Sequence, residues 1–138
     1  MECPPPMKTT IQVGNIASIS FSVTDRMQAK FDDRVIHPVC STWDMAHQFE
    51  IAARKALEEH LEDNEQGIGS FLSIDHVKPA PVGAEVEVVA TITELDETTV
   101  VCDITATVHG TICAKGKQVQ RVLPPSTITR LIDDANSQ

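Results

Sequence analysis

One long helical segment, followed only by strand-forming segments, is the feature that most constrains how this chain can fold. The helical segment is STWDMAHQFEIAARKALEEHL, residues 41–61. One strand-like segment precedes it and four segments rich in Val, Ile and Thr follow it: residues 11–25, 69–79, 83–95, 98–110 and 111–123. Because these strands alternate apolar and polar residues, the sheet needs cover on one face, and a helix of about 18 residues is the only cover available. The sequence therefore predicts an α+β fold, a curved antiparallel β-sheet wrapped around one central α-helix.

The length of 138 residues suits one domain with one core. We expect that domain to span residues 11–123, with a Pro-rich N-terminal tail at 1–10 and a C-terminal tail at 124–138 that opens with Pro-Pro. The connector at 26–40 has no clear periodicity and is long for a loop, so it is predicted to be a functional loop.

Charge and cysteine content narrow the class of protein. The net charge of −9 argues against a nucleic-acid partner, which needs a basic surface. No apolar run reaches the roughly 18 residues that span a membrane, and no secretion signal is visible, so we expect a cytoplasmic protein with no membrane partner. The four cysteines lack CxxC spacing and no HxxxH occurs, which favours reduced, buried thiols and no metal site.

A carboxylate interrupts the apolar face of the predicted helix. On a wheel at about 100° per residue, five apolar residues lie within roughly 60° of Glu50: Trp43, Ala46, Ala53, Leu57 and Leu61. A charge there is expensive unless it is paired, hydrogen-bonded or used, so Glu50 either pairs with Arg54 or is a functional acid. The apolar arc is also wider than a two-layer contact can bury, which predicts a homodimer or a higher homo-oligomer.

The run CSTWDMAHQFEIAARKALEEHLEDNEQGIGSFLSIDHVKPAPVG, residues 40–83, resembles the active-site half of the fluoroacetyl-CoA thioesterase-like family of hotdog-fold proteins. That family has a Thr at the helix start, a Glu eight residues on, a Gly opening the next strand and a His before a Pro/Gly turn. The matching residues are Thr42, Glu50, Gly69 and His76. The resemblance covers residues 11–123 and implies a hotdog fold and an enzyme that hydrolyses a short-chain acyl-CoA, without a metal or redox cofactor.

The resemblance implies a catalytic constellation of Thr42, Glu50 and His76, and chemistry allows two versions of it. In one, Thr42 attacks the thioester after losing its proton to His76, while Glu50 orients the imidazole. In the other, Glu50 or His76 activates water, or Glu50 attacks directly through an anhydride. The amide of Gly69, or an N–H at the helix start, would hold the oxyanion.

Helical spacing restricts how Thr42 and Glu50 can meet. Inside one regular helix their Cα atoms would lie about 12 Å apart. Contact then requires Thr42 to fold back from the preceding loop, or one of the groups to come from a partner subunit. Thr42 also has an ordinary interpretation as a helix N-cap, and His76 has one as a hydrogen-bonded core histidine.

The chain departs from the family pattern in two places that bear on the ligand. Val35 and Ile36 stand where the best-known member has aromatic side chains that close the pocket, so selectivity for fluoroacetyl-CoA is not implied. Val35, Ile36 and Cys40 are the expected substrate-binding residues. Cys40 has two further interpretations, as a rival nucleophile or as a small buried thiol. The run Gly116-Lys117-Gln118-Val119-Gln120 stands where such proteins often have Gly-x-His-x-Arg, so a ligand contact carried by that His or Arg cannot be transferred.

Coenzyme A would need cations for its phosphates on this acidic chain, and four are candidates: Lys78, Lys115, Lys117 and Arg121. The alternation of the last three along one strand is equally well explained by an ordinary solvated strand face.

Two other functions fit parts of the sequence. A hotdog enoyl-CoA hydratase is suggested by Asp32 and His37, five residues apart as in that family's Asp…Asn-Pro-x-His loop, although Arg34 and Val35 stand where Asn and Pro should be. A domain that only binds acyl-CoA, as a sensor, would tolerate a silent Glu50. The leading hypothesis remains an acyl-CoA thioesterase whose partner is small-molecule acyl-CoA.

Overall fold

A five-stranded antiparallel sheet packs one face against a single long helix, and a two-stranded hairpin connects the first strand to that helix. The structure, a computed structural model, describes residues 7–137. The strands are β1 (Ile16–Ser22), β2 (Gln28–Phe31), β3 (Arg34–Cys40), β4 (Gln66–His76), β5 (Glu85–Leu95), β6 (Thr99–Val108) and β7 (Thr111–Leu123). The helices are α1 (Thr42–Glu58) and α2 (Pro125–Asn136), with a 3-10 turn at Asp25–Met27. The main sheet has the order β1-β5-β6-β7-β4, and β2 pairs with β3.

Alternation of side chains along the strands puts one face of the sheet against α1. The inward residues of β5 and β6 are apolar and at most 1% exposed: Val86, Val88, Ala90, Ile92, Val100, Cys102, Ile104 and Ala106. The helix covers them with six buried residues: Met45, Phe49, Ala52, Ala53, Ala56 and Leu57. Burying a side chain as large as Phe49 or Met45 stabilises this contact by about 1.5–3 kcal/mol each. The predicted α+β arrangement, a sheet around one central helix, is confirmed.

The N-terminal segment is part of the folded domain as far back as it is described. Met7 is 5% exposed, and the Lys8 N–H donates to the carbonyl of His60 at 2.9 Å. Thr10 Oγ1 lies 2.7 Å from His60 Nδ1. Residues 7–10 therefore pack against the C-terminal end of α1 rather than forming a tail, while positions 1–6 of the predicted tail lie outside the described residues.

The C-terminal segment predicted as a tail is the 12-residue helix α2. It begins at Pro125, where a missing N–H costs nothing because the first turn has no intrahelical acceptor for it. None of its residues is buried, and Leu131 and Ile132 are 51% and 55% exposed.

The connector at 26–40 contains a β-hairpin, so the prediction of an irregular loop is wrong. Asp32 and Asp33 form its turn with φ of 52° and 61°, left-handed conformations that a tight two-residue turn requires and that Asp tolerates. The hairpin brings Phe31 against Trp43, with ring centroids 5.6 Å apart and planes at 84°. This edge-to-face contact ties the hairpin to the start of α1.

Strand β4 is an edge strand, and the side away from β7 has no strand partner within residues 7–137. Ile68 and Phe71 of this strand are 40% and 54% exposed, on the face of the sheet that carries Val119 and Arg121 of β7. Trp43, in the first turn of α1, is 50% exposed. An unpaired edge with apolar side chains is a surface on which a second strand can pair.

Three of the four cysteines, Cys40, Cys102 and Cys113, are free and buried, as predicted, whereas Cys3 lies outside the described residues. Across residues 7–137, no helix is long and apolar enough to cross a bilayer. Over the same residues, no group of three His, Cys, Asp or Glu side chains comes together as a possible metal site.

Candidate active site

The hydroxyl of Thr42 lies against the imidazole of His76. Thr42 is the first residue of α1 and His76 is the last residue of β4, and Oγ1 is 3.2 Å from Nδ1. The N-cap is Ser41, whose Oγ accepts the Asp44 N–H at 3.2 Å, so the hydroxyl of Thr42 is not used as a cap. The structure therefore brings two of the three predicted catalytic residues into contact at a helix N-terminus, where the dipole favours negative charge.

His76 is a neutral imidazole with one nitrogen unused. Desolvation by burial lowers its pKa from the ordinary value of 6.5. Nδ1 faces Thr42, while Nε2 is buried and has no hydrogen-bond partner in the described part of the chain. A neutral imidazole that accepts at Nδ1 carries its proton on Nε2. His76 thus lacks the acceptor that orients a catalytic histidine in a triad, and it is not the satisfied core histidine of the ordinary interpretation.

Glu50 is exposed and lies over Gly69 of β4. A Cβ built on Gly69 would be 3.3 Å from Glu50 Oε2 and 3.6 Å from Oε1. Arg54 is directed elsewhere: its Nε is 3.9 Å from Glu58 Oε1, and its Nη1 donates to the carbonyl of Gly67 at 3.4 Å. The alternative in which Glu50 pairs with Arg54 is therefore not what the structure has.

The apolar surroundings that the helical wheel predicts for Glu50 are not found within a single chain, where Glu50 is exposed. The apolar arc predicted from the sequence consists of two different surfaces of α1. One surface, which includes Phe49 and Ala52, is buried on the sheet. The other, which carries Trp43 and Glu50 seven residues apart, is exposed at the open side of the helix.

Within one chain, the carboxylate of Glu50 cannot reach the imidazole of His76. The carboxylate lies over Gly69, and seven residues of extended strand separate Gly69 from His76. At about 3.3 Å per residue this is about 20 Å. The structure therefore divides the predicted residues into two groups, called here the base half-site (Thr42 and His76) and the acid half-site (Glu50 with Gly69).

Two buried glutamines of β7 lie beside the acid half-site; they stand where related proteins often have His and Arg, and the sequence predicted no role for them. Gln118 and Gln120 are 2% and 3% exposed. Gln120 Nε2 donates to the carbonyl of Ala53 at 3.1 Å, and Gln118 Nε2 is 3.2 Å from the Cβ position of Gly69. Alternation along β7 could have found them, because residues 114, 116, 118, 120 and 122 share the inward face.

A cavity of about 300 Å³ opens beside the base half-site. Its lining joins Thr42 and His76 to His37, Cys40 and Lys78. Of the expected substrate-binding residues, Cys40 lines the cavity, whereas those at positions 35 and 36 are each 46% exposed on β3 and are not among its lining residues.

Cys40 is a poor nucleophile despite its position. Burial, with Asp44 and Cys113 nearby, raises the pKa of its thiol to about 11. The reactive thiolate is therefore scarce at neutral pH, and the thiol points to the backbone, with Sγ 3.5 Å from the carbonyl oxygen of Ser41.

The candidate phosphate-binding cations divide between two surfaces. Lys115, Lys117 and Arg121 are exposed on the outer face of the sheet, opposite the inward glutamines. Lys117 Nζ lies 3.2 Å from Asp103 Oδ1. Within one chain the sheet separates these three cations from the base half-site, whereas Lys78 lines the cavity itself.

The residues that suggested a hydratase do not form one site. Asp32 is in the turn of the hairpin and His37 lies within extended β3. At about 3.3 Å per residue their Cα atoms are more than about 10 Å apart.

Comparisons with known proteins agree with this architecture. The family model for the fluoroacetyl-CoA-specific thioesterase matches residues 23–126. A Thermus thermophilus hypothetical protein, described as a thioesterase superfamily member, is 29% identical, with a TM-score of 0.88 over 94% of this chain and 96% of that one. A mutant of the fluoroacetyl-CoA-specific thioesterase FlK is 18% identical, with a TM-score of 0.83 over 93% of this chain and 99% of that one. No curated protein matches the sequence.

A hot-dog-like protein from Thermanaerovibrio acidaminovorans is 17% identical, with a TM-score of 0.82 over 89% of this chain and 91% of that one. These likenesses confirm the hotdog fold. The family match spans most of the chain and includes both half-sites. The chain therefore belongs to the fluoroacetyl-CoA-specific thioesterase family.

Proposed function

We propose that this protein is an acyl-CoA thioesterase that hydrolyses a short-chain acyl-CoA, with Thr42 as the nucleophile and His76 as its base. The observation that carries the proposal is the 3.2 Å approach of Thr42 Oγ1 to His76 Nδ1 beside a cavity of about 300 Å³. The lowered pKa of His76 keeps its imidazole free to accept a proton at neutral pH. Membership of a thioesterase family supports the thioester as the bond that is broken.

The reaction proceeds in two acyl-transfer steps. Thr42 Oγ attacks the thioester carbonyl while His76 Nδ1 takes the hydroxyl proton. N–H groups in the first turn of α1 stabilise the oxyanion, since the helix dipole is positive there. The intermediate collapses, coenzyme A leaves as its thiol with the proton from His76, and an acyl ester remains on Thr42. His76 then takes a proton from water, the resulting hydroxide hydrolyses the ester, and Thr42 recovers its proton.

The acid of this triad comes from a second subunit. In one chain about 20 Å of strand separates His76 from Gly69, over which the Glu50 carboxylate lies, while His76 Nε2 has no acceptor in the described part of the chain. Both half-sites lie along β4, at Gly69 and at His76. Antiparallel pairing of two β4 edges about a two-fold axis carries the acid half-site of each chain toward the base half-site of the other.

The surface available for this contact is suited to a homodimer. Trp43 is 50% exposed on the same stripe of α1 as Glu50, at the open side of the helix. Contact of a second chain along this stripe removes the Trp43 ring from water and encloses Glu50 at the same time. The water-poor environment that a catalytic acid needs is thereby supplied by dimerisation.

The cavity supports a short acyl group without selectivity for fluorine. The apolar part of its lining is Ala29, Val39, Val77 and Pro79, with no Phe, Trp or Tyr. An apolar pocket distinguishes near-isosteres weakly, so we expect fluoroacetyl-CoA and acetyl-CoA to be hydrolysed with kcat/KM values within about tenfold of each other. Lys78 at the cavity is the cation we expect to contact a phosphate of coenzyme A.

The experiment is a free-thiol assay on acetyl-, fluoroacetyl-, propionyl-, butyryl- and hexanoyl-CoA with the wild-type protein, Thr42→Ala and Glu50→Gln. The matched control is Glu97→Gln, which changes an exposed Glu in the turn between β5 and β6. We expect thiol release by the wild type and by the control, and loss of release in the other two variants, with an acyl adduct on Thr42 in rapidly quenched wild-type samples by mass spectrometry.

Each contrary outcome points to a different alternative. Binding of acyl-CoA without thiol release from any substrate overturns the proposal in favour of an acyl-CoA sensor. Thiol release that survives Thr42→Ala, with no adduct, replaces the nucleophilic threonine with activated water. Release that survives Glu50→Gln removes Glu50 from the mechanism.

A further inference from the structure

Gln118 is a deeply buried side chain whose amide oxygen is unused. The residue is 2% exposed, and its Oε1 has no hydrogen-bond partner in the described part of the chain. Leaving such an acceptor unpaired in a protein interior is unfavourable, and native proteins keep few of them. A glutamine that weakens the packed interior and is nevertheless present suggests a function rather than a role in stability.

The neighbouring glutamine, which is equally buried, illustrates a purely structural role. Gln120 is 3% exposed on the same face of β7. Its Nε2 donates to the carbonyl of Ala53 at 3.1 Å and so joins β7 to the middle of α1. Gln118, two residues earlier, makes no such contact with the helix backbone among the hydrogen bonds of the described residues.

The amide of Gln118 and the carboxylate of Glu50 converge on Gly69. Gln118 Nε2 is 3.2 Å and Glu50 Oε2 is 3.3 Å from the position that a Cβ would take on Gly69. Because both atoms lie within 3.3 Å of one point, they are less than 7 Å apart, within reach of one bridging water or one rotamer change. Glycine at 69 provides the space in which the two groups meet.

An exposed carboxylate on a helix must be held in one rotamer before it can contact a base on another chain. The side chain of a glutamate has several rotamers of similar energy, and catalysis needs one of them. Arg54, the cation four residues on, is engaged by Glu58 and Gly67 instead. The amide N–H of Gln118, less than 7 Å from Glu50 Oε2, is a donor that can hold this carboxylate.

We propose that Gln118 is a positioning residue for Glu50. Its amide N–H donates to the carboxylate, directly or through one water, and fixes the rotamer that lies over Gly69 and projects toward the partner subunit's His76. This inference rests on the proposed function, because it concerns the acid of the same triad. Gln118 contacts neither the acyl group nor the thioester and acts only through Glu50.

The test compares Gln118→Leu and Gln118→Glu with the control Gln120→Leu, using kcat, KM, the pH profile and the thermal midpoint. We expect Gln118→Leu to lower kcat by about ten- to a hundredfold, with KM within about twofold and a thermal midpoint that is unchanged or higher. Gln118→Glu should be least active at neutral pH, where two carboxylates repel, and should regain activity as the pH falls, since a protonated Glu again donates to Glu50. Gln120→Leu should lower the thermal midpoint and leave the shape of the pH profile unchanged.

The outcomes separate this inference from the proposed function. A wild-type protein that releases no thiol defeats the proposed function before Gln118 is tested. If the wild type is active and Glu50→Gln is not, but Gln118→Leu keeps its kcat within about twofold, Gln118 does not position Glu50 and the thioesterase proposal stands. The same conclusion follows if Gln118→Glu keeps the wild-type pH optimum, or if both Leu variants lose activity in proportion to lost stability.

Discussion

The two ends of the contact between α1 and β4 are built in opposite ways. At one end, Thr42 Oγ1 and His76 Nδ1 are 3.2 Å apart, and the second imidazole nitrogen is buried without a partner in the described residues. At the other end, Glu50 is exposed over Gly69 and Arg54 is turned away from it. One end has the proposed nucleophile and base without an acid, and the other has the proposed acid without a base. This difference is why we propose that two chains share each active site.

The largest expected effect is at the base half-site, with His76→Asn. The variant removes the proposed acceptor of the Thr42 proton, so kcat/KM should fall by about a thousandfold or more. His109→Asn is the control, because His109 lies in a turn with φ of 50°, which Asn tolerates. A His76→Asn enzyme within about tenfold of wild type in the thiol assay would show that the base half-site does not perform the chemistry.

A smaller loss is expected at the acid half-site, with Gly69→Ala. The new Cβ would lie 3.2 Å from Gln118 Nε2 and 3.3 Å from Glu50 Oε2, so the carboxylate has to move by a few tenths of an ångström. We expect kcat to fall by about ten- to a hundredfold while the far-UV circular dichroism spectrum is unchanged. Gly110→Ala does not serve as a control, because its φ of 77° strains any side chain, so Ser70→Ala on the same strand is the better comparison.

The pH dependence of kcat/KM and of stability distinguishes the base half-site from the acid half-site. Burial lowers the pKa of His76 from 6.5, and the proposed mechanism uses its neutral imidazole, so the acidic limb of kcat/KM should have its midpoint below pH 6.5. Below pH 6.5 the unfolded chain binds a proton at His76, whereas the native chain binds it only near its lower pKa. The free energy of unfolding should therefore fall as the pH drops from 6.5 toward the native pKa. Thermal melts of His76→Asn should lose that part of the pH dependence, and an identical dependence in both proteins would contradict the assignment.

The smallest expected effect concerns the outer face of the sheet. Lys117 is half-exposed and paired with Asp103 at 3.2 Å, so Lys117→Ala should change KM for acetyl-CoA by less than about twofold. Lys78→Ala, at the cavity, should raise KM by about three- to tenfold with kcat nearly unchanged. The reverse order of the two KM effects would mean that coenzyme A lies along the outer face instead.

The sequence predicts the sheet and the helix well because their residues obey one periodicity each. The inward positions of β5 and β6 are uninterrupted apolar residues, and Ser41 with Asp44 marks the helix start. The hairpin was missed because β2 and β3 are short and largely exposed, although the Asp32-Asp33 pair is a two-residue turn signal. Helix α2 was missed because its apolar positions follow two prolines and pack on no core.

The site was only partly predictable, for a reason that concerns Glu50 in particular. Its place on an apolar arc indicates burial, but periodicity cannot tell a face that packs on the sheet from one that faces another chain. Gln118 gave no motif, since its significance depends on Gly69 and Glu50 converging from two other elements. The contact between Thr42 and His76 was implied by the family resemblance, and the structure supplies its distance.

The most direct test of the shared site is complementation between two inactive variants. Thr42→Ala and Glu50→Gln chains are co-expressed with different affinity tags, and the mixed dimer is purified and compared with both parents in the thiol assay. If each site takes Thr42 and His76 from one chain and Glu50 from the other, the mixed dimer holds one intact site and should recover about half of the wild-type activity per dimer. A mixed dimer as inactive as its parents would contradict the shared site.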